Sequence, residues 1–257
     1  MAMNADDKLT VIIPSFNEEN NIEQCLQSVS WADEILVVDS YSNDRTLDIA
    51  RKYTDRILQH EYIHSAAQKN WTIPQAKYGW ILLVDCDEIV TDKLRNEIRE
   101  LLRENPVCDG YWIYRHNYVF GKRIKYTDWG ADRVLRLFRR DLGRYDEKRV
   151  HAEILLENTG TLKSRLVHYS INDMASWVAK VNRYSTWKAE DKFERQTRLP
   201  VLHLLFRPPL RFLKDFILRF GILDGWRGFL IAAMASYAEL ITAAKLTQMT
   251  YEKKRQE

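Results

Sequence analysis

Trp80-Ile81-Leu82-Leu83-Val84-Asp85-Cys86-Asp87-Glu88 sets a short apolar run directly against a cluster of carboxylates. The run is rich in branched side chains and too short for a helix, which suits a strand buried on both faces. Two earlier stretches repeat the pattern. Residues 9–13 run into Pro14-Ser15-Phe16-Asn17-Glu18-Glu19, and residues 34–38 run into Asp39-Ser40-Tyr41-Ser42-Asn43-Asp44. Helical periodicity fills the intervals. Ile22, Leu26 and Val29 share one face of 20–29, Leu47, Ile49, Ala50 and Tyr53 mark 44–53, and 65–76 is a third helix. Thr91 can cap a fourth, with Leu94, Ile98, Leu101 and Leu102 on its buried side. This alternation predicts an α/β fold with an open, mostly parallel sheet flanked by helices. Its ligand belongs in the crevice at the carboxyl ends of the strands.

Composition narrows the class. The chain has 257 residues, 46% hydrophobic and 29% charged, enough for one large or two small domains. Thirty-nine Lys and Arg against 36 Asp and Glu is too balanced for a nucleic-acid binder by bulk charge. Cys25, Cys86 and Cys108 are too scattered for a disulfide framework or a zinc site and fit a reducing, cytoplasmic setting. The first ten residues lack a basic region followed by an apolar core, so no secretory signal is expected. The longest charge-free run, residues 228–238, falls short of the about 20 that a membrane span requires. A membrane-surface protein is therefore expected in preference to a transmembrane one.

Each acidic cluster alone reads as a loop or a helix cap. Three clusters at three strand ends repel one another unless a cation lies among them. Asp85 and Asp87 are hard oxygen ligands of the kind Mg²⁺ or Mn²⁺ prefers. The first strand is followed by no Gly-x-Gly-x-x-Gly and no Walker loop, so a metal on Asp87 and basic side chains must neutralise a bound phosphate. Lys69, in Gln68-Lys69-Asn70, is the nearest basic residue; its plainer reading is a solvated helix lysine. A haloacid-dehalogenase-like phosphatase also opens on a strand and Asp-x-Asp. There the motif sits on the first strand, whereas here it comes third and Glu88-Ile89 follows.

Together, Val11-Ile12-Ile13-Pro14-Ser15-Phe16-Asn17-Glu18-Glu19, Val37-Val38-Asp39-Ser40-Tyr41-Ser42-Asn43-Asp44-Arg45-Thr46 and Leu82-Leu83-Val84-Asp85-Cys86-Asp87-Glu88 resemble the signature of family 2 inverting glycosyltransferases, which have the GT-A fold. The likeness covers roughly residues 8–170. Residues 66–71, 133–139 and 222–229, with Arg149-Val150-His151, look like bacterial lipopolysaccharide-core β-glucosyltransferases. The resemblance implies a GT-A catalytic domain over 1–172 and a helical C-terminal region over 173–257. It implies that Pro14, Phe16, Asn17 and Glu18 line the base pocket of a nucleotide sugar, most often UDP-linked. Asp39 would hold base or ribose with Ser40 and Ser42 near it, and Lys69 would approach the nucleotide. Asp85 would contact ribose or metal, with Cys86 between it and Asp87, the residue binding the Mn²⁺ or Mg²⁺ that bridges the diphosphate. His151 is a further candidate metal ligand; a structural histidine is the competing reading. His168 reads as structural.

An inverting transfer needs a carboxylate to take the acceptor hydroxyl's proton as it attacks the anomeric carbon. The family's base usually follows a Gly-aromatic-acid pattern. The corresponding region, Gly143-Arg144-Tyr145-Asp146-Glu147, continues to Glu153 without the usual adjacent Glu-Asp pair. Glu153 is closest in spacing, Asp146 and Glu147 compete, and Asp132 lies further off. The expected reaction moves glucose from UDP-glucose to a lipopolysaccharide inner-core sugar. The alternatives are a lipid-phosphate, capsule or peptide acceptor, or a catalytically degenerate membrane-associated scaffold.

After residue 172 long helical patterns replace the aspartate-ended strands. Arg207, Arg211, Lys214, Arg219 and Arg227 interleave with Leu and Phe and face only Asp215 and Asp224 across 201–227. Such a pattern suits an interfacial helix on an anionic membrane, here the cytoplasmic face of a bacterial inner membrane, where the lipid-linked glycan acceptor resides. Competing readings are a core helix with snorkelling arginines and a homo-oligomer contact through 229–246.

Overall fold

The structure, a computed structural model, describes residues 8–146, 152–195 and 200–256. They form two compact units, one made of residues up to 116 with 132–169, the other of 117–131 with residues from 170 onward. The sequence boundary at 172 lies near the 169/170 junction, but 117–131 pack with the C-terminal helices.

The first half of the chain builds β1 (Leu9–Ser15), α1 (Ile22–Val29), β2 (Glu34–Asp39), α2 (Thr46–Ala50), β3 (Ile57–Gln59), α3 (Ser65–Thr72) and β4 (Trp80–Leu83). Then come β5 (Glu88–Val90), α4 (Asp92–Arg103), β6 (Gly110–Val119), the two-residue β7 (Lys122–Arg123), the one-turn α5 (Thr127–Gly130), β8 (Arg133–Arg139) and β9 (Thr159–Ile171). Strands β3, β2, β1 and β4 pair in parallel, with Val11 opposite both Ile35 and Leu82. Beyond β4 the sheet turns antiparallel through β8, β6, β9 and β5. The sheet is therefore the open, mixed α/β sheet of the GT-A fold, flanked by helices.

Period-two alternation sorts the core into two layers. Val11, Ile13, Val37, Leu82 and Val84 face the side on which α1 buries Leu26 and α4 buries Leu94 and Ile98. Ile12, Leu36, Val38, Ile81 and Leu83 face the other side, against Ile73 and Phe138. The Thr91 hydroxyl accepts from Leu94 N at 3.2 Å, so α4 starts where its sequence places the cap. The edge strand β3 is three residues long and only half-buried, which left it without a hydrophobic signature.

The second unit holds α6 (Met174–Glu194), α7 (Pro200–Leu213), a wide turn over Lys214–Leu218, a short turn over Gly221–Asp224 and α8 (Trp226–Gln256). Buried carboxylates organise it. Asp224 accepts from Lys125 N at 3.2 Å and Tyr126 N at 3.0 Å, which pins the 117–131 loop. Asp215, 1% exposed, accepts from both Arg211 and Arg219, and Asp128 pairs with the same two arginines. Arg227 donates to the carbonyls of Val119 and Phe120, each at 2.9 Å. Arg207 lies 3.8 Å from Glu239. Most of the arginines that the sequence offered to lipid head groups are thus engaged within the protein. In α8, an apolar stretch of mean hydropathy 1.4 is one-third buried, and its length and composition suffice to cross a bilayer. Judging by the charge-free run understated this, because a span tolerates an occasional charge.

Removing both partners of Asp215 tests the buried pairing. The Arg211→Gln/Arg219→Gln double variant should lose about 3 kcal/mol of stability, the cost of leaving a buried carboxylate without its cations. Urea unfolding of the variant beside the wild type measures it.

Candidate active site

The loops that follow β1, β2 and β4 lie side by side because those strands are parallel neighbours. The β1 and β2 loops are stitched together. Asn17 takes a left-handed backbone (φ 54°), its N–H donates to Ser42 Oγ at 2.8 Å, and Asn43 N donates to Asn17 Oδ1 at 2.9 Å. Glu18 N donates to Thr46 Oγ1 at 2.7 Å. Asp39 is fully buried and accepts from Ser15 Oγ, Ser42 N and Ser42 Oγ, so its carboxylate shapes the loop. Ser40 Oγ accepts from Gln68 Nε2 at 2.6 Å, which ties the loop to α3. Phe16 and Tyr41 stand outward, 54% and 60% exposed, with faces available for stacking on a planar ring.

The β4 loop carries the densest electrostatics. Asp85 lies 3.3 Å from Lys69 Nζ and accepts directly from Arg136. Glu88, wholly buried, accepts from Arg136 at 2.9 Å and Arg115 at 3.0 Å, while its other oxygen receives Asp85 N at 3.1 Å. Arg115 also reaches Asp132 at 2.6 Å. Burial alone would raise the Asp85 carboxyl, but Arg136 and Lys69 overcome it and hold the group well below the usual carboxylate range. Cys86 donates to Pro14 O at 3.3 Å and Cys25 to Asp85 O at 3.6 Å; burial first, then the neighbouring carboxylates, keeps both thiols protonated. Lys69 also lies over the Tyr145 ring, 5.4 Å from its centroid, and is buried, unlike a solvated helix lysine.

Asp87 points elsewhere. Its Oδ2 is 3.3 Å from His168 Nε2, and its carbonyl accepts from Tyr169 N at 2.9 Å. Among the described residues no three His, Cys, Asp or Glu side chains converge as a metal cage. The Asp87–His168 pair still fits an ion such as Mg²⁺ or Mn²⁺, which is bound through one or two protein groups plus substrate phosphates. Asp85 is held by two cations, Lys69 and Arg136. His151 and Glu147 lie outside the described residues. Asp146 and Glu153 are joined by two hydrogen bonds: Asp146 N donates to Glu153 O at 3.0 Å and Glu153 N to Asp146 Oδ1 at 3.2 Å. Glu153 is exposed. Asp132 is taken up by Arg115.

Sequence reasoning missed Arg136, Arg115, Glu88 and Gln68, and read His168 as structural. Arg136 and His168 sit on antiparallel strands whose pairing no local pattern announces. One signal was available: a buried-strand position occupied by arginine, as in Val134-Leu135-Arg136-Leu137-Phe138, demands a carboxylate partner.

An open, mixed sheet with acidic loops at the ends of β1, β2 and β4 fits the architecture of a GT-A type transferase. The model of the family described as "Glycosyl transferase family 2" matches residues 10–165, and the chain belongs to that family. It is 32% identical to the lipopolysaccharide core biosynthesis glycosyltransferase LpsC of Rhizobium meliloti over 252 residues, covering 93% of this chain and 92% of that protein. It is 31% identical over 133 residues to the Escherichia coli UDP-Glc:alpha-D-GlcNAc-diphosphoundecaprenol beta-1,3-glucosyltransferase WfgD, covering 46% of this chain and 52% of that one. Among solved structures, the mannosyltransferase PcManGT of Pyrobaculum calidifontis, in complex with GDP-Man and Mn²⁺, superimposes with a TM-score of 0.56 at 16% identity, covering 93% of this chain and 87% of that one.

Replacing Arg136 by Met should expose how much of the site rests on it. Glu88 would keep only Arg115 and Asp85 only Lys69, and stability at pH 7 should fall by about 3 kcal/mol. Asp85's folded-state value is depressed, so its contribution is present above the unfolded value near about 4 and fades in acid. The deficit of Arg136→Met should therefore shrink between pH 7 and pH 3 in denaturant titrations.

Proposed function

We propose that this protein is a metal-dependent, inverting hexosyltransferase that moves glucose from UDP-glucose to a lipid-linked lipopolysaccharide inner-core sugar at the cytoplasmic face of the membrane. The observation carrying this reading is the likeness to LpsC over nearly the full length of both chains. The donor assignment draws on the shorter likeness to WfgD, which uses UDP-Glc and a lipid diphosphate acceptor.

The residues divide the work. Phe16 and Tyr41 offer ring faces at the crevice mouth for the base, and Asp39 with Ser42 holds the loop between them. Lys69, already next to Asp85, can trade part of that contact for a phosphate oxygen as the diphosphate enters. Asp87 and His168 would hold the divalent ion. Bound there, the ion supplies Lewis-acid stabilisation of charge growing on the leaving diphosphate. The acceptor hydroxyl is a poor nucleophile near neutral pH, so Glu153 takes its proton during attack on the anomeric carbon. Asp146 braces the Glu153 backbone and stands as the competing base. The intact Asp85 and Asp87 and their surrounding cations favour an active enzyme over a degenerate scaffold.

Purified protein, UDP-glucose and a truncated lipopolysaccharide core test the reading directly. Transfer of glucose is expected; transfer only from another nucleotide sugar would overturn the donor, and transfer only to a non-lipopolysaccharide acceptor would overturn the acceptor. Asp87→Asn should abolish transfer while the far-UV spectrum is retained, and wild-type activity should vanish in EDTA and return with Mn²⁺ or Mg²⁺. Glu153→Gln should lower turnover about a hundredfold or more with donor affinity unchanged, measured by kcat and by titration of UDP-glucose. Near-normal turnover would move the base to Asp146 or Glu147.

A further inference from the structure

The second unit leaves a long apolar strip uncovered. Leu205, Phe206, Leu210, Leu218, Leu223 and Trp226 are each between 57% and 72% exposed. On α7 the exposed apolar positions fall on one half of the helix, and exposed apolar residues recur through the turns before α8. Soluble monomers rarely expose contiguous apolar surface of this extent. Nor does α8 compensate, since two-thirds of its apolar stretch is left unburied, where the core helix of a soluble protein is mostly covered.

Charge identifies the occupant. Residues 117–131 and 170–257 carry 18 Lys and Arg against 10 Asp and Glu, so this unit is strongly basic while the rest of the chain is acidic. Two such surfaces repel each other, whereas an anionic bilayer attracts one. Yet the arginines within the strip do not form a free cationic face. Arg211 and Arg219 are spent on Asp215 and Asp128, and Arg227 on two backbone carbonyls. Lys214 remains exposed beside them.

We propose that the strip over residues 202–226 is a lipid-docking face that enters the acyl boundary of a bilayer and is anchored by apolar burial, with the unit's positive charge steering approach. This reverses the order of importance that the sequence suggested. The inference rests on the reading that the acceptor is lipid-linked, but its vesicle-binding readout contains no acceptor.

The full-length protein is sedimented with vesicles of phosphatidylcholine alone and of phosphatidylcholine with about one-third phosphatidylglycerol, at low salt and at about 0.5 M salt, where the Debye length is short. Wild type should bind both vesicle types, and high salt should weaken binding to the anionic ones by less than about tenfold. Leu218→Glu/Leu223→Glu should weaken binding to both by more than about a hundredfold, with melting temperature and activity on a soluble acceptor fragment unchanged. Should that pair misfold, Leu205→Gln/Leu210→Gln repeats the test on α7. Release by salt, failure to bind phosphatidylcholine, or unaltered binding by a folded variant would overturn the proposal. So would a salt-stable dimer that the same substitutions split, which would assign the strip to a second copy. Binding without transfer would remove the transferase reading and leave the docking face; transfer without binding would do the reverse.

Discussion

Glu88 has no solvent exposure, and two arginines meet at its carboxylate. A buried carboxylate costs several kcal/mol unless paired, and a buried arginine the same, so neither could occupy the interior alone. Their combination fixes the turn after β4. Arg136 then reaches Asp85 from below, Lys69 reaches it from α3, and Arg115 extends the chain of charges to Asp132. The backbone N–H of Asp85 closes the loop on Glu88 itself. The charged interior thus fixes the β4 loop, while Asp39 and Ser42 fix the loops after β1 and β2.

The arrangement answers the repulsion among the acidic clusters. Three resident cationic side chains, Lys69, Arg115 and Arg136, neutralise Asp85 and Glu88 before any ligand arrives. Asp87 lies 3.3 Å from an imidazole instead, so the two aspartates of one Asp-x-Asp motif have different surroundings.

The second unit applies the same rule with another outcome. Asp215 and Asp128 neutralise Arg211 and Arg219 internally, which leaves leucines and aromatic rings as the exposed feature of the segment. Counting charges along a helix could not reveal this, because Asp128 is about eighty residues away in sequence.

The parallel half of the sheet was legible from short runs of branched residues ending in polar loops, since burial on both faces leaves no other composition for such a strand. Thr91 marked the start of α4, and Pro14, Asn17, Asp39, Asp85 and Asp87 were all recognisable as loop and strand-end residues. The antiparallel half was not legible: β8 and β9 contribute Arg136 and His168 through cross-strand pairing, and register is a property of two distant segments. For the same reason the sequence determined which acidic and polar residues follow the parallel strands, while the tertiary structure alone decided that Asp85 is held by Lys69 and Arg136, that Asp87 faces His168, and that the arginines of the C-terminal unit pair within it. Charge pairing acts through space at a few ångströms, and only the folded chain brings those atoms together.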